Sequence, residues 1–363
     1  MKYIDEFRNI KLVKKLAGKI NQIMPAGEIR LMEVCGTHTQ NFHRFCLNKL
    51  LPLNLKLISG PGCPVCVSSQ DYIDTAIDLS KRKDTTIVTF GDMLRVPGNN
   101  STLEEARSQG ANIAVVYSPL DAIKIAKDYP EQKTVFLAVG FETTAPAIAL
   151  SIILAKKSNL KNLFFSTALK TIPAAMDFLV QDPRLKIEGF LCPGHVSSII
   201  GTKPYEFIPK KYKIGCCVAG FEPVDIMEGL YLLLQQIVKK NPHVENQYIR
   251  GVNSCGNIAA QKLMLKVFKK APAQWRALGV IGGSGLKIRD EFGNFDAENV
   301  FPVGRRRYTI SSKQKKCRCF EVLKGLINPD ECSLFRKSCT PEHAFGPCMV
   351  SQEGACNAYY KYH

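Results

Sequence analysis

The sequence predicts an α/β protein: two small parallel-sheet βα domains followed by a third, cysteine-rich domain. Three observations carry this expectation. Seven short apolar or β-branched runs recur, most followed by a turn and a helix-like stretch, and strands alternating with helices mean βα units and a parallel sheet. A short internal echo divides the chain, with Gly140-Phe141-Glu142 closing one run and Gly220-Phe221-Glu222 another about 80 positions later. After Lys240 the alternation loosens, and a cysteine-dense tail begins at Cys317.

The runs are Leu55–Ile58, Thr86–Phe90, Ile113–Tyr117, Thr134–Val139, Leu163–Ser166, Ile187–Leu191 and Ile214–Val218. Each is short and bounded by turn residues, as buried strands are. Tyr72–Leu79 and Ile226–Ile237 place apolar residues at helical spacing instead. Phe136–Ala155 is apolar enough to suggest a membrane span, but Glu142, Thr143, Thr144 and Pro146 interrupt it, so a strand, a turn and a buried helix fit better. Gly279–Gly285 lacks both the dinucleotide fingerprint and the Lys-Ser/Thr of a P-loop and is read as a plain turn. Seven strands in about 165 residues fit two small sheets. The expected boundaries are 30–140, 141–245 and 246–363, with 1–29 a candidate addition to the last unit.

Composition narrows the function. The 363 residues are 45% hydrophobic and 22% charged, which excludes disordered, collagen-like and coiled-coil classes. Met1–Gly18 mixes charged and apolar residues without an apolar core, so no signal peptide is expected and the chain is placed in the cytoplasm. In a reducing compartment 14 cysteines point to metal or redox chemistry rather than a disulfide framework. The net charge of +17 is dispersed over runs at Pro209–Lys213, Arg305–Arg307 and Lys313–Lys316. No nucleic-acid motif accompanies them, so solvated faces or a docking surface for an acidic partner are expected, without nucleic acid or membrane.

Two cysteine constellations stand out. The tail holds Cys317, Cys319, Cys332, Cys339, Cys348 and Cys356 without the paired CxxC knuckles of a zinc ribbon. A cubane iron–sulfur cluster needs four thiolates at looser spacing, which leaves two spare thiols. The second constellation is Cys35-Gly36-Thr37-His38 with Gly60-Pro61-Gly62-Cys63-Pro64-Val65-Cys66. A CxxC at a helix N-terminus has its thiol pKa lowered by the dipole and free amides, which favours nucleophilic thiolate or metal binding. Cys35 adds a third soft ligand, and His38 an imidazole. The residues alone leave iron, zinc and a thioredoxin-like dithiol open. The remaining cysteines, Cys192 and Cys216 among them, sit in apolar runs or glycine turns and read as small core residues.

These segments together resemble the HypD family of hydrogenase formation proteins. The resemblance rests on Glu33–Thr39 (EVCGTHT), Gly60–Cys66 (GPGCPVC), Gly140–Pro146 (GFETTAP), Cys192–His195 (CPGH) and the tail from Cys317 to Tyr360, with Gln40 standing where some relatives carry a second histidine. It implies two α/β domains and an iron–sulfur domain whose [4Fe–4S] ligand pattern falls on Cys317, Cys332, Cys339 and Cys356. It leaves Cys319 and Cys348 as a redox-active pair, similar to ferredoxin–thioredoxin reductase. It also implies assembly of the Fe(CN)2CO moiety of [NiFe]-hydrogenases, with Fe(II) carrying CN and CO as transient cargo, a small HypC-type chaperone as partner, and a HypE-type protein as cyanide donor. Cys35, Cys63 and Cys66 are then the essential thiols of the iron site. Thiolate suits low-spin iron carrying such ligands. Cys35 is expected to hold the iron, Cys63 and Cys66 to cycle as a dithiol, and His38 to donate a hydrogen bond or move a proton, with Glu142 nearby. An iron–sulfur thiol–disulfide oxidoreductase is the alternative.

Overall fold

The computed structural model describes residues 2, 4–301 and 316–363. Two parallel sheets carry the fold. The first holds β1 (Ile29–Glu33), β2 (Leu55–Ser59), β7 (Gly189–Pro193), β8 (Gly215–Ala219) and β9 (Val244–Asn246) in the order β2-β1-β7-β8-β9. The second holds β3 (Thr85–Thr89), β4 (Ile113–Val115), β5 (Lys133–Gly140) and β6 (Leu163–Leu169) in the order β4-β3-β5-β6. All seven expected runs contribute strands. β5 is buried along all but its first residue, as a central parallel strand covered on both faces must be.

Sheet membership cuts across the boundary expected at 140/141. The chain builds β1 and β2, leaves to form the whole four-stranded sheet, and returns with β7–β9, because β1 pairs with β7 as well as β2. The amino-terminal segment also packs elsewhere than expected. Helix α1 (Ile10–Ile23) buries Val13, Ala17 and Ile20 in one core with Leu230 and Leu233 of α9 (Pro223–Val238), beside the five-stranded sheet. Apolar residues at helical spacing put one stripe of α1 on that core.

Between the two βα units and the tail lies a further element. Strands β10 (Phe268–Trp275) and β11 (Gly279–Ile288) form an antiparallel hairpin, so the glycine run read as a turn is a strand. A register shift falls between Ala271 and Ala273, at Pro272, which has no N–H to give the ladder. Trp275 anchors the ribbon, donating from Nε1 to Ser284 Oγ at 2.8 Å within the core. Residues 258–301 pack on the four-stranded sheet: Met264 and Val267 of α10 (Ile258–Val267) share a core with Ile148 and Ile152 of α6 (Ala145–Lys157). The expected unit 246–363 is therefore divided, and its cysteine-rich part is the tail from residue 316.

That tail folds into short helices at Cys319–Leu323, Pro347–Val350 and Ala355–Tyr362. It packs on α2 (Gly36–Arg44), where the His43 and Tyr359 rings lie 4.2 Å apart and Thr37 Oγ1 donates to Glu353 Oε1 at 2.7 Å. Among the described residues no helix is long and apolar enough to cross a membrane, and Phe136–Ala155 divides into most of β5, a turn and most of α6. Lys210 and Lys211 pair with Glu206 and Asp177 at the surface. Arg305–Arg307 and most of the Lys313–Lys316 run lie outside the described residues.

Candidate functional site

In a parallel sheet the loops after the carboxyl ends of the strands make the binding edge. At that edge β2, β1 and β7 are neighbours, and they are followed respectively by the Gly60–Cys66 loop, by Cys35 and by His195. Backbone contacts press the first two loops together. Gly60 N–H donates to Glu33 O at 2.8 Å and Gly36 N–H to Gly62 O at 3.1 Å. A Cβ on Gly62 would stand 2.3 Å from Cys35 N and 2.5 Å from its Cα, so only glycine permits this approach.

Cys35 stands at the start of α2 with extended backbone, and its N–H donates to Glu33 Oε2 at 2.8 Å. The other Glu33 oxygen accepts from the Thr39 hydroxyl. Burial raises the Glu33 pKa to about 7 against the pull of these hydrogen bonds. The Cys35 thiol is pushed up by burial and then by the Glu353 charge. Its sulfur lies 3.8 and 3.9 Å from the two ring nitrogens of His195.

His38 is fully buried and its Nε2 donates to Gly220 O at 2.8 Å. A carbonyl only accepts, so Nε2 carries the proton and Nδ1, which has no hydrogen-bond partner among the described residues, is a bare acceptor. Burial lowers the His38 pKa to about 4, so the ring is neutral at pH 7. An imidazole that donates from this position was expected; the one N–H it has is already committed. The imidazole lying on Cys35 is that of His195, likewise held near pKa 4 by burial. Phe221 stands between the two histidines, with ring centroids 4.9 Å from His38 and 5.1 Å from His195.

Cys63 and Cys66 sit in a turn rather than at a helix N-terminus, and Cys66 N–H points at Cys63 Sγ, 3.3 Å away. Burial raises the Cys66 thiol well above its ordinary value, and Cys348 and Cys63 are the side chains it meets. Cys348 in turn lies against Cys319, sulfur to sulfur 2.9 Å. Cys319 also meets Cys317. The order of contact is thus Cys63, Cys66, Cys348, Cys319, Cys317, running from the loop after β2 into the tail.

The four tail cysteines assigned to a cluster share one neighbourhood. The Cys356 thiol is raised by burial and then by the charges of Cys317, Cys339 and Cys332. Gly346 closes over Cys317 and Cys319, since a Cβ there would meet Cys317 Sγ at 2.8 Å and Cys319 Cβ at 3.4 Å. Among the described residues no three His, Cys, Asp or Glu side chains are arranged around a single ion. A cubane instead spreads four thiolates over four irons, and four thiols in one neighbourhood match that number of donors.

Glu142 stands apart from this chemistry. Its oxygens accept the Ile172 N–H at 3.0 and 3.3 Å where α7 (Ile172–Leu179) begins, and it lines a cavity of about 710 Å³ with Lys270 and Phe207. Of the residues gathered at this edge, Phe221, Glu33 and Glu353 were not selected from sequence, and His195 was marked only by its place after a strand, with no role given to it. The Cys192–His195 motif was the available signal for His195. Nothing local marks Glu353, which reaches α2 only through the folded tail.

Compared with known proteins, residues 11–363 match the HypD family model, described as the hydrogenase formation hypA family. The chain is similar to hydrogenase maturation factor HypD of Cupriavidus necator, at 40% identity over 371 residues covering 100% of this chain and 97% of that protein. It is similar to the Azotobacter vinelandii factor of the same name at 41% over 370 residues, covering 100% and 97%. The Escherichia coli K12 factor is 40% identical over 369 residues, covering 100% and 98%.

Proposed function

The chain belongs to the HypD family of hydrogenase maturation factors, and from that premise we propose that it is a redox-active scaffold for building the Fe(CN)2CO moiety of a [NiFe]-hydrogenase. It acts in complex with a small HypC-type chaperone and receives cyanide from a HypE-type protein. A reducing cytoplasm suits a chain with this many thiols. The observation that carries this reading is the meeting of Cys35, the Gly60–Cys66 loop and His195 at the ends of three adjacent strands.

Cys35 binds the iron cargo. Burial disfavours its thiolate, but a bound cation reverses that balance and deprotonates a coordinating thiol. The site therefore holds a neutral thiol until metal arrives. His195 packs against that sulfur, and His38 offers a bare nitrogen lone pair rather than a proton. Cys63 and Cys66 exchange electrons with the tail through Cys348 and Cys319. A [4Fe–4S] cluster on Cys317, Cys332, Cys339 and Cys356 would supply one-electron transfer to that path.

The second reading, an iron–sulfur thiol–disulfide oxidoreductase, draws on the 2.9 Å contact of Cys319 with Cys348. Infrared spectroscopy of the anaerobically purified chain with its small partner separates the two. The scaffold gives bands of bound cyanide and CO that vanish in Cys35→Ala while the visible cluster absorption remains. Retention of those bands in Cys35→Ala rules out Cys35 as the ligand; absence of bands in the parent chain with full dithiol reductase activity favours the second reading.

A further inference from the structure

The cavity beside Glu142 lies where α7 meets α10, the β10–β11 hairpin and residues 200–211. Its volume of about 710 Å³ is that of a small-molecule site, and Pro173, Phe207, Met264 and Leu286 make much of its wall apolar. Glu142 is the buried acid in that wall, 3% exposed. Its two oxygens share one donor, the Ile172 N–H, and among the described residues no Lys or Arg forms an ion pair with it. Lys270, in the same wall, is exposed.

A carboxylate can accept about four hydrogen bonds, and a buried one is costly without a cation. Burial raises the Glu142 pKa to about 7, with backbone hydrogen bonds and the Lys270 charge pulling the other way. Other polar side chains of the wall are already matched. Asp177 is met by Lys211 at 3.6 Å and by the Tyr212 hydroxyl at 2.7 Å, and Gln261 Nε2 donates to Ile199 O and Cys255 O. The acid left without a cation is Glu142.

We propose that this cavity binds a small organic monoamine, its ammonium group on the free lone pairs of Glu142 and its apolar body against Phe207, Met264 and Leu286. An anion would meet the Glu142 carboxylate, and a neutral ligand would leave that charge unmatched. Lys211 and Lys270 in the same wall oppose a second positive charge on the ligand. The Ile172 N–H keeps its place at the start of α7, so the ammonium adds to that hydrogen bond rather than replacing it. Nothing in this site depends on iron or on the thiols, so its failure and that of the scaffold reading are separate outcomes.

The test titrates the anaerobically purified full-length chain by calorimetry at about pH 8, above the Glu142 pKa. The probes are 2-phenylethylammonium and 2-phenylethanol, which share one apolar body and differ in charge. The parent is expected to bind the ammonium at least tenfold more tightly than the alcohol. Glu142→Gln, whose amide oxygen still accepts the Ile172 N–H, brings the two within threefold. Ala174→Phe, which fills the cavity from α7, abolishes binding of both. Photolabelling with 2-(4-azidophenyl)ethylammonium and peptide mapping locates the site without any variant. The label is expected on the peptides carrying Phe207 or Met264, and excess 2-phenylethylammonium removes it. A parent without preference for the ammonium overturns the inference, as does a preference kept in folded Glu142→Gln or binding unchanged in folded Ala174→Phe. A label that maps elsewhere overturns it too. Where a variant does not fold, the parent's preference and the mapped label decide between acceptance and rejection.

Discussion

Gly62→Ala tests whether the edge of the five-stranded sheet is built by backbone approach. The added Cβ would lie 2.3 Å from Cys35 N, 2.5 Å from Cys35 Cα and 2.6 Å from Val34 C. Ordinary contact begins near 3.4 Å, so about 1 Å must be recovered against main chain, which has no rotamer to yield. Overpacking of this kind costs 1–3 kcal/mol, and with backbone on the far side the upper end, about 3 kcal/mol, applies. The loops separate at the Gly36–Gly62 hydrogen bond, and Cys35 loses its enclosure. Gly18→Ala is the matched control: Gly18 lies exposed within α1, nothing stands within 4 Å of its Cβ, and helix propensity favours alanine by about 1 kcal/mol. Denaturant unfolding monitored by circular dichroism gives both values, and thiol-probe kinetics at Cys35 report the opening. A Gly62→Ala variant within about 1 kcal/mol of the parent and equally slow to label at Cys35 would refute the packing argument.

Other perturbations probe the charges around the site. Glu33, raised to about 7 from an ordinary 4.5, contributes stability that is present below pH 4.5 and lost as pH rises through 7. Glu33→Gln should remove that slope, a difference of roughly 3 kcal/mol between pH 4.5 and 8 measured by urea midpoints at each pH. His38, His43 and His195, each lowered to about 4 by burial, act oppositely: their contribution is complete above pH 6.5 and lost as pH falls through 4. His195→Gln should therefore reduce acid sensitivity in that window, and an unchanged acid limb would contradict the burial of that ring. Asp225→Ala strands Arg250, which bonds it at 2.6 and 2.8 Å, and should cost 3–5 kcal/mol in the same unfolding assay. The Asp225 charge also supports protonation of His38, so in the variant that ring should stay neutral to still lower pH by NMR.

The run most plainly legible as a strand is the central β5, buried along all but its first residue. It reads as a nearly continuous apolar run, as a central parallel strand covered on both faces does, whereas β6 at the sheet edge is continuously apolar only in its first half. β1 escaped notice because Arg30 and Glu33 interrupt it, yet Glu33 is the buried residue that holds Cys35 N–H. The hairpin escaped because its glycines, lysines and proline mimic a loop. The cysteines themselves were legible by count and spacing, but their environment was not. CxxC suggested a lowered thiol pKa, and burial does the reverse at Cys66. Spacing also says nothing about Glu353, whose carboxylate reaches Thr37 from 316 positions away.

The burial of the thiols explains why the tail must close over the sheet edge. A cysteine raised by desolvation is a poor nucleophile and a poor target for oxidation until a charge arrives to stabilise its thiolate. Under the function proposed above, that charge at Cys35 is the incoming iron. Ser351 donates to Asp92 at 2.8 Å and Thr37 to Glu353, so the tail is pinned to both sheets at once. Opening the tail would hydrate Cys35 and Cys66 together, so under the proposed function closure is a condition for both metal retention and electron transfer.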